Sequence, residues 1–317
     1  CLSCGSCRDI RCVAEYLGPS VDTPAIVQAM RTDIVTSGKA PKEIEEIAQQ
    51  ADKTHNIFGE ESQSERPTLD VPELQPAEKV DMLYFAGCAV GYKYPELVAA
   101  VHKIAGHVGT SMRMLPNEWC CGMPLLRMGY RDLGEKMARH NVDQINLSGA
   151  GSVAFSCPTC YKAFAETYPE DFGLHLKPQP RLVLEYVDAS LQSGRLGLQA
   201  QIDEAVTIHD SCSLALASKE VELPRRVLAS VPGLRVTEME RSGRETRCCG
   251  GSLWVKTLFS DLTEAHGRRR LQDVAETGSR TITTVCPNCW RTLGEAIELN
   301  QADYHVRDVI EIVASAI

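Results

Sequence analysis

Fourteen cysteines stand in this 317-residue chain, and ten of them fall into two sets of similar spacing. The first set is Cys88, then after 31 residues Cys120-Cys121-Gly122, then 35 residues beyond the pair Cys157-Pro158-Thr159-Cys160. The second is Cys212, then after 35 residues Cys248-Cys249-Gly250, then 36 residues beyond the pair Cys286-Pro287-Asn288-Cys289. An adjacent Cys-Cys pair is a poor mutual disulfide, because the ring it closes strains the intervening peptide, yet both its sulfurs can face a multi-iron centre. A glycine after the pair lets the backbone approach inorganic sulfide and donate its N–H. Zinc takes four ligands, so the fifth cysteine of each set would have no role at a zinc site. Cysteines clustered in this way favour converging on a metal over bridging distant strands, and five thiolates per set point to iron–sulfur chemistry.

The remaining four cysteines open the chain as Cys1-x-x-Cys4-x-x-Cys7-x4-Cys12. Three cysteines at this spacing on a tight loop can cap three irons of a cubane, with the fourth ligand coming from nearby or from a partner motif. Cys12 stands apart: its spacing is one residue longer than usual for such a motif, and Val13 occupies the place where Pro is expected. Beside the second set, His209 and Asp210 could supply protons to a reduced thiolate, or simply hydrogen-bond a strand end. Arg241, Arg244 and Arg247 lead into Cys248, where they could offset cluster charge or bind an anion. Arg268, Arg269 and Arg270 read as a solvated helix face, and Trp119 and Trp254 as packing that keeps water off the cysteines.

These residues need elements to hold them. The order strand, Cys, helix, strand, Cys-Cys-Gly, helix, strand, Cys-Pro-x-Cys, helix occurs twice. Strands are expected at Val80 to Ala86, Ser111 to Leu115 and Ser152 to Phe155, then at Ala205 to His209, Arg235 to Met239 and Thr281 to Val285. Helices are expected at Glu96 to Ala105, Leu133 to Leu147 and Leu262 to Glu276, and Val306 to Ile317 matches Leu182 to Leu191 as the closing helix of each repeat. Corresponding cysteines are offset by similar amounts: 124 from Cys88 to Cys212, 128 from Cys121 to Cys249 and 129 from Cys160 to Cys289. The fold class is α/β: two pseudo-symmetric Rossmann-like modules with largely parallel sheets, whose cysteines sit beyond the carboxyl ends of the strands. Upstream, Thr23-Pro24 reads as a helix start with Thr as cap, and a second helix follows Pro41. Residues 1–58 then form a small helical ferredoxin-type segment, 59–79 an acidic, proline-bearing linker, 80–195 the first module and 196–317 the second.

Composition narrows the partners. With 44% hydrophobic residues the chain can bury a core in each unit, while a net charge of −9 argues against a general nucleic-acid binder. No apolar run approaches the ~20 residues of a membrane-spanning helix, and the first residues are not those of a signal peptide. The expected location is cytoplasmic, with any membrane association on the cytoplasmic face through partner subunits. The chain starts on a cysteine motif without an initiator Met, so further native sequence upstream is expected. No G-x-G-x-x-G follows a strand, which implies a flavin-bearing partner subunit under any redox reading.

The doubled set resembles the CCG-domain iron–sulfur oxidoreductases: the catalytic subunits of heterodisulfide reductase and the iron–sulfur subunits of glycolate oxidase and anaerobic glycerol-3-phosphate dehydrogenase. The likeness runs over nearly the whole chain, including Asn56-Ile57-Phe58-Gly59, His209-Asp210-Ser211-Cys212 and Arg247-Cys248-Cys249-Gly250. It implies one noncubane [4Fe-4S] cluster on each five-cysteine module, Cys88, Cys120, Cys121, Cys212, Cys248 and Cys249 serving catalysis, and a disulfide split between the two centres with one electron from each; His209 joins the catalytic candidates as the proton supplier named above. The gaps of 35 and 36 residues before the last pair are slightly long for the pattern, and some relatives hold a different metal, zinc among the possibilities, in one copy. The N-terminal motif resembles the second half of a two-cluster ferredoxin domain, which implies a [4Fe-4S] cubane on Cys1, Cys4, Cys7 and Cys12. Other members of the family pass electrons, linking a flavin dehydrogenase of glycolate, lactate or glycerol-3-phosphate type to quinone or another acceptor. The expected substrate is thus a disulfide, thiol or sulfur carrier, or else a quinone, and the expected partners are flavin-containing or ferredoxin-type subunits.

Overall fold

The computed structural model describes residues 1–9, 21–60, 73–75, 78–218 and 220–317, so Cys12 and most of the 59–79 stretch lie outside the described residues. Strands β1 (Met82–Phe85), β2 (Met112–Met114), β3 (Ser152–Phe155) and β4 (Gln179–Leu182) form one parallel sheet in the order β2-β1-β3-β4. Strands β5 (Ala205–Ile208), β6 (Arg235–Thr237), β7 (Thr281–Thr284) and β8 (His305–Asp308) form a second in the corresponding order β6-β5-β7-β8. Parallel neighbours need a crossover between them, and helices Pro95–Val108, Arg131–Leu147, Glu222–Ala229 and Ser260–Ala275 supply it. The central strand β1, Met-Leu-Tyr-Phe, is buried along its whole length, as the continuous apolar run of an interior parallel strand should be.

Two expectations need correction. Val306–Asp308 is not part of a closing helix: it belongs to β8, and the helix begins at Val309. Its counterpart β4 is likewise a strand that the sequence does not announce. Both are edge strands, mostly exposed or half-buried, so Gln-Pro-Arg-Leu and His-Val-Arg-Asp carry no apolar pattern. Pro180 is tolerated there because an edge has a side that needs no ladder donor. Near the N-terminus, the Thr23–Thr36 helix does carry Pro24 in its first turn, but Asp22 rather than Thr23 caps it, its Oδ1 accepting from the N–H of Ala25 at 3.0 Å. The Lys42–Thr54 helix follows Pro41 as expected. Part of the 59–79 stretch lies along the first sheet, with Glu73 paired to Met114 beside β2.

The two repeats meet through reciprocal contacts. Helix Pro95–Val108 of the first packs on Val309–Ser315 of the second, and Val183–Gln192 of the first packs on Glu222–Ala229 of the second. In each pair, a helix that follows the first strand of one repeat meets the helix that follows the last strand of the other. That exchange is the mark of a two-fold relation. One apolar cluster crosses the seam, joining Leu97, Val101, Ile104 and Val187 to Leu223, Val227, Val309 and Val313.

Candidate iron–sulfur centres

In each repeat the direction of the connections reverses between the two central strands, and open α/β sheets place their sites at such a switch point. Cys88 follows β1, Cys120 and Cys121 follow β2, and Cys157 and Cys160 follow β3, so five sulfurs gather at one end of one sheet. Cys212, Cys248, Cys249, Cys286 and Cys289 do the same beyond β5, β6 and β7.

Within the first set the Cys88 Sγ lies 3.5 Å from that of Cys120. Cys121 is held well below the ordinary thiol range, first by hydrogen bonding from Cys120 and then from Cys160. Cys120 and Cys160 are pushed well above it, each chiefly by that shared bond to Cys121. The second set repeats the arrangement about Cys249, held low first by Cys248 and then by Cys289, whose Sγ is 3.5 Å away. Cys157 is held low first by Cys160 and then by Cys286 across the seam, so equivalent cysteines of the two repeats influence each other. A cavity of about 110 Å³ at this point is lined from both sets. Buried sulfurs crowding round a shared thiolate, with no disulfide among the described cysteines, form a donor set that suits iron or another thiophilic metal.

The loops that present these sulfurs are held by residues that carry no signal of their own in the sequence. Glu118, 1% exposed, accepts from the N–H groups of Ala86 at 3.1 Å and Gly87 at 2.9 Å, fixing the approach to Cys88. Asn141 accepts from the N–H of Trp119 and donates to the carbonyls of Trp119 and Cys120. In the second repeat, Thr246 stands where Glu118 stands and donates to the Asp210 carbonyl at 3.1 Å. Asp210 itself pairs with both terminal nitrogens of Arg225, at 2.9 and 3.0 Å. The glycines after the Cys-Cys pairs serve helix packing as well as the expected N–H: both have positive φ, and a Cβ would lie 2.8 Å from the Gly134 carbonyl oxygen at Gly122 and 3.0 Å from that of Thr263 at Gly250. The Gly250 N–H does reach a sulfur, that of Cys248, at 3.4 Å.

His209 lies beside the second set, a ring nitrogen within 4.8 Å of the sulfurs of Cys249 and Cys289. Arg270 is not on a solvated helix face. It is fully buried, its Nε donating to His209 Nδ1 at 3.0 Å and its Nη1 pairing with Asp273 at 3.1 Å, whereas Arg268 and Arg269 are exposed. Thr263, Gly267, Arg270, Leu271 and Val274 share the buried stripe of that helix, and this spacing was the available signal. Arg247 pairs with Asp273, and the Arg241 carbonyl accepts from Arg270.

At the N-terminus, Cys1 and Cys7 are exposed, while half-buried Cys4 turns to the second set, its thiol lowered to about 6 first by hydrogen bonding from Cys248. Buried Arg31 ties this segment down, donating to the carbonyls of Cys1 and Arg127 at 2.9 Å each and lying over the Trp254 ring. Trp254, Ile57 and Phe58 line the shared cavity with Arg127 and Arg291. Trp119 instead stacks between His55 and His140. No helix among the described residues is long and apolar enough to cross a membrane.

The model of the CCG cysteine-rich domain matches twice, over residues 82–165 and 206–294. The chain is 31% identical, over its whole length and 77% of the relative's, to a dihydromethanophenazine:CoB–CoM heterodisulfide reductase subunit of Methanosarcina barkeri. It is 25% identical to the probable iron-sulfur-binding oxidoreductase FadF of Bacillus subtilis and 24% identical to the EtfAB:quinone oxidoreductase of Syntrophomonas wolfei, with 99% and 98% of the chain aligned. It spans 46% of the length of each of those two. With two CCG domains in tandem and sulfurs gathered at the end of each sheet, the chain belongs to the CCG-domain family of iron–sulfur oxidoreductases, alongside the Methanosarcina heterodisulfide reductase subunits.

Proposed function

We propose that the chain is the iron–sulfur subunit of a heterodisulfide-reductase-like enzyme, reducing or oxidising a disulfide, thiol or sulfur carrier in the cavity between its two five-cysteine sets. The observation that carries this reading is the shared cavity, lined by Cys157 and Cys160 from the first set and by Cys286 and Cys289 from the second. Splitting a disulfide takes two electrons, and two like centres facing one space can supply one each. Cys88, Cys120, Cys121, Cys157 and Cys160 would hold one noncubane [4Fe-4S] cluster, and Cys212, Cys248, Cys249, Cys286 and Cys289 the other. Cys1, Cys4 and Cys7, with Cys12, would hold a cubane at which electrons enter. When bound, the clusters supply one-electron transfer and iron that can bind sulfur. Ile57, Phe58 and Trp254 exclude water from the cavity, and Arg127 and Arg291 would orient an anionic substrate at its wall. Partners would be flavin-containing or ferredoxin-type subunits, on the cytoplasmic side.

The relative named as an EtfAB:quinone oxidoreductase favours a second reading, in which the chain only relays electrons between a flavin protein and quinone. Anaerobic iron and acid-labile sulfide analysis tests both: iron with matching sulfide is expected, and stoichiometric zinc without sulfide overturns both. Soaking crystals with a disulfide under reducing conditions separates them. Substrate sulfur in the cavity supports the enzyme reading, and its absence from both sets leaves the relay.

A further inference from the structure

His209 occupies the place in the second repeat that Phe85 occupies in the first, three residues before Cys212 and Cys88 respectively. Phe85 is buried against Phe155 and Phe164, with ring centroids 5.4 and 4.9 Å away. His209 is equally buried, at 1% exposure. The Nε of an arginine carries a hydrogen and has no lone pair to offer, so in the 3.0 Å contact from Arg270 Nε the His209 Nδ1 must be the acceptor. The ring proton therefore sits on Nε2. That N–H is buried and meets no oxygen or nitrogen acceptor among the described residues, while the sulfurs of Cys249 and Cys289 lie beside the ring and hydrogen bonding from His209 is one of the causes that hold the Cys249 thiol low.

A buried N–H left without an acceptor is costly, so this one stands as a donor aimed at the sulfurs beside it. The tautomer excludes the role of metal ligand, because a ligating Nε2 needs its lone pair free and would force Nδ1–H against Arg270.

We infer that His209 Nε2–H donates to a sulfur of the second centre, a Cys249 or Cys289 thiolate or an inorganic sulfide, and so makes that centre easier to reduce than the first, where Phe85 offers no donor. Hydrogen bonds to cluster sulfurs are among the features that set reduction potential. The two centres are then unequal, and an electron entering the pair rests on the second. His209 is a positioning residue that acts through the sulfur it touches, with Arg270 locking its tautomer. The inference rests on the proposed function only in taking the second set to hold an iron–sulfur cluster.

Anaerobic redox titration followed by electron paramagnetic resonance tests it on the full chain, the Cys88→Ser variant serving to identify the signal of the first centre. In His209→Phe the midpoint of the second centre should fall tenfold in equilibrium constant, which is 59 mV for one electron, while the first stays put. His209→Gln, which keeps an N–H, should recover most of the shift. In the unsubstituted protein the second centre's signal should also show an imidazole nitrogen coupling and an exchangeable proton that the His209→Phe protein lacks. Both midpoints unmoved in a His209→Phe protein with full iron and sulfide overturns the inference, as does a second-centre signal whose nitrogen and exchangeable-proton couplings are the same with and without the imidazole. A protein with no acid-labile sulfide overturns the functional reading itself.

Discussion

The two repeats share strand order, cysteine placement and the thiolate at the centre of each set, yet they surround those sulfurs differently. All five cysteines of the first set are buried, and their shell is largely apolar, with Phe85, Phe155, Phe164 and Tyr168 in contact and the Tyr168 hydroxyl donating to the Cys121 carbonyl. In the second, Cys212 and Cys248 are partly exposed, and buried His209, Arg270 and Asp273 form a polar chain alongside that ends on half-buried Arg247. Asn141 and Arg270, separated by 129 residues like Cys160 and Cys289, mark the change: one clamps the Cys-Cys backbone, the other supports a ring facing the sulfurs. The placement of the sulfurs is thus a property of the fold, which both repeats keep, while polarity around them is set by a few side chains that are free to differ.

The largest expected effect asks whether the central thiolates are equivalent despite their surroundings. Cys121→Ser and Cys249→Ser each remove the sulfur around which a set is arranged. Each should abolish the signal of its own centre and cut activity by ~100-fold or more, since even residues behind the ligands cost up to ~100-fold. Iron analysis and spectroscopy on both variants check this. If either variant keeps both centres intact, the symmetry of the two sets is broken.

The loops before the first cysteine of each set should differ in their dependence on a single side chain. Glu118→Ala leaves the buried N–H groups of Ala86 and Gly87 without their acceptor, and should destabilise the first repeat by about 3 kcal/mol or more. Thr246→Ala removes one bond to a carbonyl and should cost about 1 kcal/mol. Anaerobic denaturant unfolding compares them, and equal losses would show that the two loops are held alike.

The cysteine sets, the repeat and strands β1 to β3 and β5 to β7 were legible because each has a local signal: fixed spacing, offsets near 124 to 129, and β-branched or apolar residues. Strands β4 and β8 were not, because Gln-Pro-Arg-Leu and His-Val-Arg-Asp hold no β-branched or apolar run and lead straight into a helix. Arg270 was hidden inside Arg268-Arg269-Arg270, where charge suggested solvent, although its register with Gly267 and Val274 put it on the buried face. Glu118 and Asn141 are single polar residues whose roles come from main-chain groups far away in sequence, 32 residues in the case of Ala86. Setting one repeat over the other would have singled them out, since Thr246 and Arg270 fall at the matching places.

The smallest effect concerns the helices that close the repeats. Both begin with a Glu three residues in, Glu185 and Glu311, whose side chain accepts from the N–H of the capping residue, but the cap is Leu182 in the first and Asp308 in the second. Asp308 is 2% exposed, and burial raises its carboxyl from the ordinary range to about 8, even though it accepts from the Ile310 N–H at 2.8 Å. Between its unfolded value near 4 and its folded value near 8, the folded chain holds a proton there that the unfolded chain has released. Stability therefore falls as pH rises through that window, by at most about 1.4 kcal/mol per pH unit from this one group, and the loss is complete above pH 8. Asn caps helices as well as Asp does and does not ionise, so Asp308→Asn should flatten the slope and leave the variant more stable than the parent at pH 8. Unfolding midpoints at pH 5, 6.5 and 8 measure it. Parallel pH profiles for parent and variant would mean that the Asp308 carboxyl is already ionised in the folded chain, and that the closing helices of the two repeats do not differ in this respect.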